Sequence, residues 1–264
     1  MFHFLVYQLL RRFAPRGGKG RMDGSAFSGL NKASVLLGPT LARLVKGSVV
    51  VDFGCGEGNE TVKLLELGAS HAIGVDIQPR MLASARRNAI SAGVEDRVTF
   101  TRLLDSPADI IVSLDGFEHF EDPESILSTM ASMLATNGKV LISFGPTWYH
   151  PLGGHLFSVF PWAHLVLPEK SLIRWRADFK DDGASRYAEV AGGLNQMTIA
   201  HFERAVESSN FEFETFELVP IRVLRRFHSR WNREFTTAIV RATLRKRASV
   251  RTGVDPISWT PDSP

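Results

Sequence analysis

The sequence predicts an α/β domain built on a mostly parallel sheet, and three observations lead there. Short β-branched runs alternate with segments of helical periodicity from about residue 32 onward. One of those runs passes directly into closely spaced glycines. The chain has 264 residues, 44% hydrophobic and 22% charged, which is ordinary globular composition and long enough to bury a sizeable core without staples.

The elements follow in order. Lys32–Val45 reads as a helix interrupted near Gly38-Pro39. Ser48 to Phe53 (SVVVDF) is a buried strand ending in glycines. Asn59–Leu67 is helical, with Val62, Leu64, Leu65 and Leu67 apolar, and His71–Asp76 is a second strand. Pro79–Ala92 is a helix with proline near its start, where a missing N–H costs nothing. Arg97–Leu103 and Asp109–Leu114 are strands three and four. Pro123–Ala135 is a helix stopped by Asn137-Gly138, and Lys139–Phe144 is strand five. Residues 145–196, rich in Pro, Gly, Trp and His, break the rhythm and read as an insertion over one end of the sheet. Thr198–Ser209 is again helical and Phe211–Leu218 a strand. Glu234–Leu244 suits a last strand by its β-branched residues, with a helix as the alternative. The expected organisation is a segment and linker over 1–24, a domain over 25–250 and a tail over 251–264.

Composition excludes several classes. A single cysteine, Cys55, leaves no internal disulfide framework and no multi-cysteine zinc site. No apolar run reaches the roughly 20 residues of a membrane span. Residues 1–21 carry five basic residues and no acid, and residues 221–264 carry ten against three acids, so the body between them sums to −9. An acidic body is a poor nucleic-acid platform. Met1–Leu10 is apolar with Arg11, Arg12 and Arg16 behind it, the reverse of an export signal. A cytoplasmic protein is expected. Its first helix would lie on an anionic membrane surface or a partner, or pack on its own domain.

The sharpest motif is Val49-Val50-Val51-Asp52-Phe53-Gly54-Cys55-Gly56-Glu57-Gly58-Asn59. Glycines at such a turn permit positive φ and close approach of a ligand to the backbone. The helix that follows offers free N–H groups. The dinucleotide fingerprint is G-x-G-x-x-G, and here Gly58 comes one place early. Asp52 and Glu57 would repel a pyrophosphate, whereas a cationic ligand would be welcome. S-adenosylmethionine, with an ammonium and a sulfonium and no phosphate, fits better than NAD. Asp76 ends the next strand, where an acid can accept hydrogen bonds from ribose hydroxyls. Asp105, flanked by Leu104 and Ser106, follows strand three and could meet the adenine amino group.

VVDFGCGEGN, GVDIQPRMLASAR, LLDS, DIIVSLDGFEHFEDP and LATNGKVLISF, in this order over residues 45–145, resemble the class I S-adenosylmethionine-dependent methyltransferases that act on small molecules. The resemblance implies a Rossmann-like seven-stranded sheet with helices on both faces, an antiparallel last strand and cofactor over the first half. It implies cofactor contacts at Gly54, Gly56, Asp76, Ile77, Asp105 and Asp115, beside Asp52, Gly58 and Leu104 of the same loops. One departure stands out. Only Ser106-Pro107-Ala108 separates Asp105 from Asp109, so the helix usual there is expected to be shortened or missing.

Methyl transfer to a hydroxyl needs positioning, desolvation and a place for the proton. Of eight histidines, His119 follows Glu118 after strand four, and His150, His155 and His164 lie in the insertion. Both regions follow strand ends on the cofactor edge. His155 is the first candidate for general base, His119 the second and His150 the third. His164, in PWAHL, reads as packed. Trp148, Tyr149, Phe157, Phe160 and Trp162 would line an acceptor pocket or form the insertion's core. Metal ligation by His150, His155 and a carboxylate is a weaker alternative, because methyl transfer needs no metal, and none is expected. Cys55 reads as a packing residue.

The leading expectation is methylation of a small-molecule hydroxyl, on a lipid-linked, glycosidic or polyketide-like acceptor. N- or C-methylation, a non-catalytic S-adenosylmethionine-binding protein and a nicotinamide-dependent reductase are the alternatives. A nucleic-acid methyltransferase lacks support, since LDGFEH stands where an Asn-Pro-Pro-Tyr-like amine motif would be.

Overall fold

The structure is a computed structural model, and it describes residues 2–15, 32–38, 40–104, 106–190 and 192–248. Among these, seven strands form one sheet: β1 (Val49–Phe53), β2 (His71–Val75), β3 (Val98–Thr101), β4 (Ala108–Leu114), β5 (Leu134–Phe144), β6 (Phe211–Pro220) and β7 (Thr237–Lys246). Their order is β3-β2-β1-β4-β5-β7-β6. Strands β1 to β5 pair in parallel, and β7 runs antiparallel to both β5 and β6. The expected seven-stranded sheet with an antiparallel last strand is therefore present. Strand order reverses between β1 and β4, which makes a crevice at their carboxyl ends, the place where open α/β sheets bind ligands.

Alternation along the strands sorts the side chains onto two faces. Val51, Phe53, Ile111, Val140 and Ile142 face α6 (Pro123–Met133) and α9 (Ile199–Ser208), where Leu127, Met130, Phe202 and Ala205 are buried. Val50, Ile110, Val112 and Leu141 face α2 (Lys32–Leu37), α3 (Leu41–Val45) and α4 (Asn59–Glu66), against Ala33, Leu41, Val45 and Leu64. Each buried Val, Leu or Ile contributes about 1.5–3 kcal/mol. α5 (Pro79–Ser91) places Leu82, Ala85 and Ala89 around Phe100 of β3.

Helix ends follow the sequence signals. Asp122 accepts from Ser125 N at 3.0 Å ahead of Pro123, and Thr198 accepts from His201 N at 3.0 Å at the start of α9. The β3–β4 link has no helix among its described residues, as its length foretold. Several boundaries differ: β5 starts at Leu134 with Asn137-Gly138 inside it, β3 is shorter and β6 longer than expected, and two further shifts have a visible cause. α6 ends at Met133, because Leu134 already pairs with Ala108 across a bulge. The last strand starts at Thr237, because residues 233–236 form a helical turn, α10 (Arg233–Thr236). That turn aims the Glu234 carboxylate at the first N–H groups of α9, Ile199 N at 3.0 Å and Ala200 N at 2.9 Å.

The insertion carries its own small core. α7 (Ala163–Val166) and α8 (Glu169–Arg176) bring Phe157, Leu172, Ile173, Trp175, Tyr187 and Leu194 together. α1 (Phe2–Phe13) closes it with Val6, Tyr7 and Leu10. Tyr7 Oη donates to Asp178 Oδ1 at 3.0 Å, Arg11 pairs with Asp178 at 3.2 Å, and Trp175 Nε1 donates to Ala14 O at 2.7 Å. One face of the first helix thus packs on its own domain. The adjoining face leaves Phe2, Leu5, Leu9 and Phe13 exposed.

Candidate active site at the sheet switch point

The glycine loop leaves β1 and is sewn to the end of β2. Gly54 N and Cys55 N both donate to Val75 O, at 2.8 and 3.0 Å. Asp76 holds the loop from the other side. Its Oδ2 accepts from Gly56 N at 3.0 Å and its Oδ1 from Gln78 N at 2.8 Å. Gly54, Gly56 and Gly58 have φ of 81°, 52° and 76°, values that favour glycine. Their surroundings differ. A Cβ on Gly54 or Gly56 would meet nothing within 4 Å, so both border open space. A Cβ on Gly58 would lie 2.8 Å from Ala85 Cβ and from two atoms of the Phe100 ring. Gly58 is thus required by its packing against Ala85 of α5 and Phe100 of β3.

Asp52 lies in β1, two residues before Gly54. It is buried, and its Oδ2 accepts a 2.6 Å hydrogen bond from Thr61 Oγ1 of α4. It shares one side of β1 with Val50, toward α4. Burial pushes its pKa up to about 6 against the pull of the Thr61 hydrogen bond. Cys55 is buried and its thiol is pushed up by desolvation, so it is an inert packing residue as expected. Ile77, 76% exposed, stands free beyond Asp76, while Leu104 packs on the main core. Asp105 lies outside the described residues.

Across the crevice, the segment after β4 is tightly determined. Asp115 has φ of 49° and donates its N–H to Ser143 O at 2.8 Å. Its carboxylate pairs with Lys32 Nζ at 2.7 Å, so its charge is already matched within the chain. Asn195 Nδ2 donates to Phe117 O and Phe120 O at 2.6 and 2.7 Å, and Asn195 N donates to Glu118 O at 3.1 Å. Phe120 packs edge-on against Phe53, with centroids 5.9 Å apart, which brings this turn beside the glycine cradle.

Glu118, the next element of the turn, is 2% exposed and its Oε2 has no hydrogen-bond partner. Burial, then the Asp115 charge, push its pKa up to about 8. His119 Nδ1 lies 2.8 Å from Gly193 O. A carbonyl only accepts, so Nδ1 carries the proton and Nε2 offers a lone pair. The insertion supplies the third member. His155 has φ of 51°, and its ring meets that of His119 at 5.3 Å and 72°. Its buried Nε2 has no partner. Burial pulls the His155 pKa down to about 4, so the ring is neutral near pH 7. One ligand atom from each of Glu118, His119 and His155 lies within 4.8 Å of the others.

The other two histidines are not part of this three-donor group. His150 Nδ1 accepts from Leu152 N at 2.9 Å, an internal turn bond that ties up one nitrogen. His164 is buried between Ser158 Oγ (3.0 Å) and Trp148 O (2.7 Å), the packed role expected of it. Trp148 and Phe157 belong to the insertion's core, whereas Tyr149 and Phe160 are exposed. The site thus unites His119 and His155 from distant parts of the sequence. It adds Glu118, Gly193, Asn195 and Lys32, which the sequence did not single out. For Glu118 the available signal was its place between Phe117 and Phe120, apolar anchors that pull the turn inward.

A family model described as a methyltransferase domain matches residues 21–215. The chain belongs to this methyltransferase family. The ribosomal protein L11 methyltransferase of Yersinia pseudotuberculosis is 34% identical over 94 residues, covering 36% of this chain and 32% of that protein. The chain therefore spans about a third of the length of the curated relatives it matches. Among solved structures, an S-adenosylmethionine-dependent methyltransferase from Mesorhizobium loti superposes with a TM-score of 0.54 at 20% identity, over 83% of this chain and all of the other. Magnesium protoporphyrin IX methyltransferase from Synechocystis, solved with S-adenosylhomocysteine bound, gives 0.52 at 18% identity, over 93% and 96% of the two chains. At these identities the two structures share the fold.

The residues present fit S-adenosylmethionine, the cofactor that the sequence resemblance implies. The Gly54 and Gly56 backbone borders open space, the Asp76 carboxylate stands at the end of β2, and the exposed Ile77 offers apolar cover. The acids in this loop suit a cationic ligand and oppose a pyrophosphate.

Proposed function

We propose that this methyltransferase methylates a hydroxyl oxygen of a small molecule, and that the His119–His155 pair activates that hydroxyl. The observation carrying this reading is a pair of packed imidazoles after β4 and in the insertion: His119, whose Nδ1 is held by Gly193 O, and His155, whose buried Nε2 has no hydrogen-bond partner. S-adenosylmethionine supplies an electrophilic methyl group whose carbon–sulfur bond breaks with its electrons left on sulfur. The chain's task is then to hold the acceptor oxygen in line, exclude water and accept the hydroxyl's proton at an imidazole nitrogen as the oxygen–carbon bond forms. The Asn195 clamp and the His119–Gly193 hydrogen bond fix the turn that bears His119. The left-handed backbone of His155 is the kind of local strain that packing sustains at functional sites.

The test is product formation. With S-adenosylmethionine and hydroxylated acceptors, S-adenosylhomocysteine should be released. His155→Ala should lower turnover about 100-fold or more while leaving cofactor affinity unchanged. Turnover within threefold of wild type would reject the role of His155. A protein acceptor is the second reading, favoured by the similarity to L11 methyltransferases. That similarity covers 94 residues, about a third of either chain.

We also propose peripheral contact with an anionic lipid surface. Phe2, Leu5, Leu9 and Phe13 form one exposed stripe on α1 beside Arg12. Val223, Phe227 and Trp231 are exposed among Arg222, Arg225, Arg226 and Arg230. Apolar anchors with basic neighbours are what anionic bilayers retain. No helix among the described residues is long and apolar enough to cross a membrane. Sedimentation with phosphatidylglycerol vesicles, but not with phosphatidylcholine vesicles, is expected, and removal of residues 1–13 should weaken it. Equal recovery with both lipids would reject the proposal.

A further inference from the structure

The carboxylate of Glu118 poses a problem that its protein neighbours leave unsolved. A buried polar atom without a partner costs about 1–3 kcal/mol, and Oε2 is such an atom. As placed, Oε2 is unpartnered in either protonation state, since a carboxylic O–H needs an acceptor just as a carboxylate oxygen needs a donor. His155 Nε2 is a second buried orphan of the same cluster. The third member, His119, is held by its Nδ1–H on the Gly193 carbonyl. That second bond is how metal-binding imidazoles are commonly fixed, with Nε2 left to bind.

We propose that Glu118, His119 and His155 bind a divalent transition-metal ion, with open coordination positions toward the acceptor oxygen. Two imidazoles and one carboxylate make a donor set that suits such ions and leaves sites open. Metal–ligand bonds of about 2.1 Å bring ligand atoms to roughly 3–4 Å of one another. The three donors lie within 4.8 Å already, so a rotamer-scale contraction completes the site. Glu118 and His119 are adjacent on a turn clamped by Asn195, and Gly193 sits where a Cβ would press 2.8 Å from His119 O. The site is thus braced on the Glu118–His119 side.

This inference deepens the proposed function and departs from the expectation that no metal takes part. His155 becomes a ligand rather than the base. Metal coordination lowers the pKa of a bound hydroxyl. The hydroxyl proton passes to water, the oxygen–carbon bond forms, and the carbon–sulfur bond breaks with its electron pair retained by sulfur.

Metal binding is measured directly, without cofactor or acceptor. Full-length chain stripped with EDTA is titrated calorimetrically with Zn²⁺, Mn²⁺ and Mg²⁺ at neutral pH. One equivalent of Zn²⁺ or Mn²⁺ should bind, and Glu118→Gln and His155→Ala should each weaken it at least tenfold. Metal-free thermal denaturation of each variant verifies folding. For a variant that fails this check, Mn²⁺ electron paramagnetic resonance of the wild type, read for nitrogen coupling, decides instead. Asp76→Asn should lose S-adenosylhomocysteine and keep the metal, which separates failure of the cofactor reading from failure of this one. A wild type that binds none of the three ions more tightly than about 1 mM, or variants that bind as it does, would overturn the proposal.

Discussion

Gly56 and Gly58 lie two residues apart in one loop, both with positive φ, yet replacement by alanine should damage different properties. At Gly56 the new Cβ meets nothing within 4 Å. The cost to folding is the left-handed backbone alone, roughly 1 kcal/mol. At a sensitivity of about 3 °C per kcal/mol, Gly56→Ala should melt about 3 °C lower. The same Cβ, however, projects into the space kept for the cofactor, so binding should fall at least tenfold. At Gly58 the Cβ would press on Ala85 and on two Phe100 atoms at 2.8 Å. Overpacking of this kind adds about 1–3 kcal/mol to the backbone cost, and Gly58→Ala should melt roughly 6–12 °C lower. At a temperature where it is folded, it should bind cofactor within about threefold of wild type. Scanning calorimetry and titration with S-adenosylhomocysteine read the two properties separately. If Gly56→Ala bound normally, or Gly58→Ala lost affinity while keeping its melting point, the division between cradle and packing glycine would be wrong.

The remaining predictions concern capping and pH. Glu234→Ala removes the carboxylate that accepts from Ile199 N and Ala200 N, and chemical denaturation should show a loss of about 1–2 kcal/mol; no change would mean water replaces the cap. His150 has its pKa pulled down to about 4, chiefly by burial and further by His164. The folded state therefore resists its protonation, and stability falls as pH drops from 6.5 toward 4. A His150→Gln variant should lose less over that window in parallel melts, and identical pH slopes would contradict the assignment. Asp52 shifts the other way, up to about 6, so its ionisation costs stability as pH rises from 3.8 through 6. Asp52→Asn should then be at least as stable relative to wild type at pH 8 as at pH 4, and a relative loss at pH 8 would refute the sign.

The order of strands and helices was legible because each buried strand is a short apolar run closed by a turn residue. β1 and its glycines show this plainly, and Pro79 and Pro123 mark two helix starts. The lack of a helix before β4 was readable from three intervening residues. The burial of Asp52 was also within reach, since alternation puts it on the face of Val50, toward α4. Glu118 was not, because a carboxylate in a loop reads as solvated until tertiary packing shows Phe117 and Phe120 folding inward around it. The pairing of His119 with His155 depends on where the insertion lands. That is set by long-range contacts such as Asn195 with the 117–120 turn, which no local pattern encodes. Glu234 was assigned to a strand for a related reason: its role as a cap for α9 belongs to a segment 35 residues away.

The central claim is that the crevice between β1 and β4 is built for a cationic sulfonium cofactor rather than for a pyrophosphate. Calorimetric titration of the purified chain with S-adenosylmethionine and, separately, with NADPH tests it directly. One equivalent of S-adenosylmethionine should bind with a dissociation constant between about 1 μM and 1 mM, the usual range for enzyme substrates, and NADPH should give no saturable heat. Saturable NADPH binding with no response to S-adenosylmethionine would contradict the account.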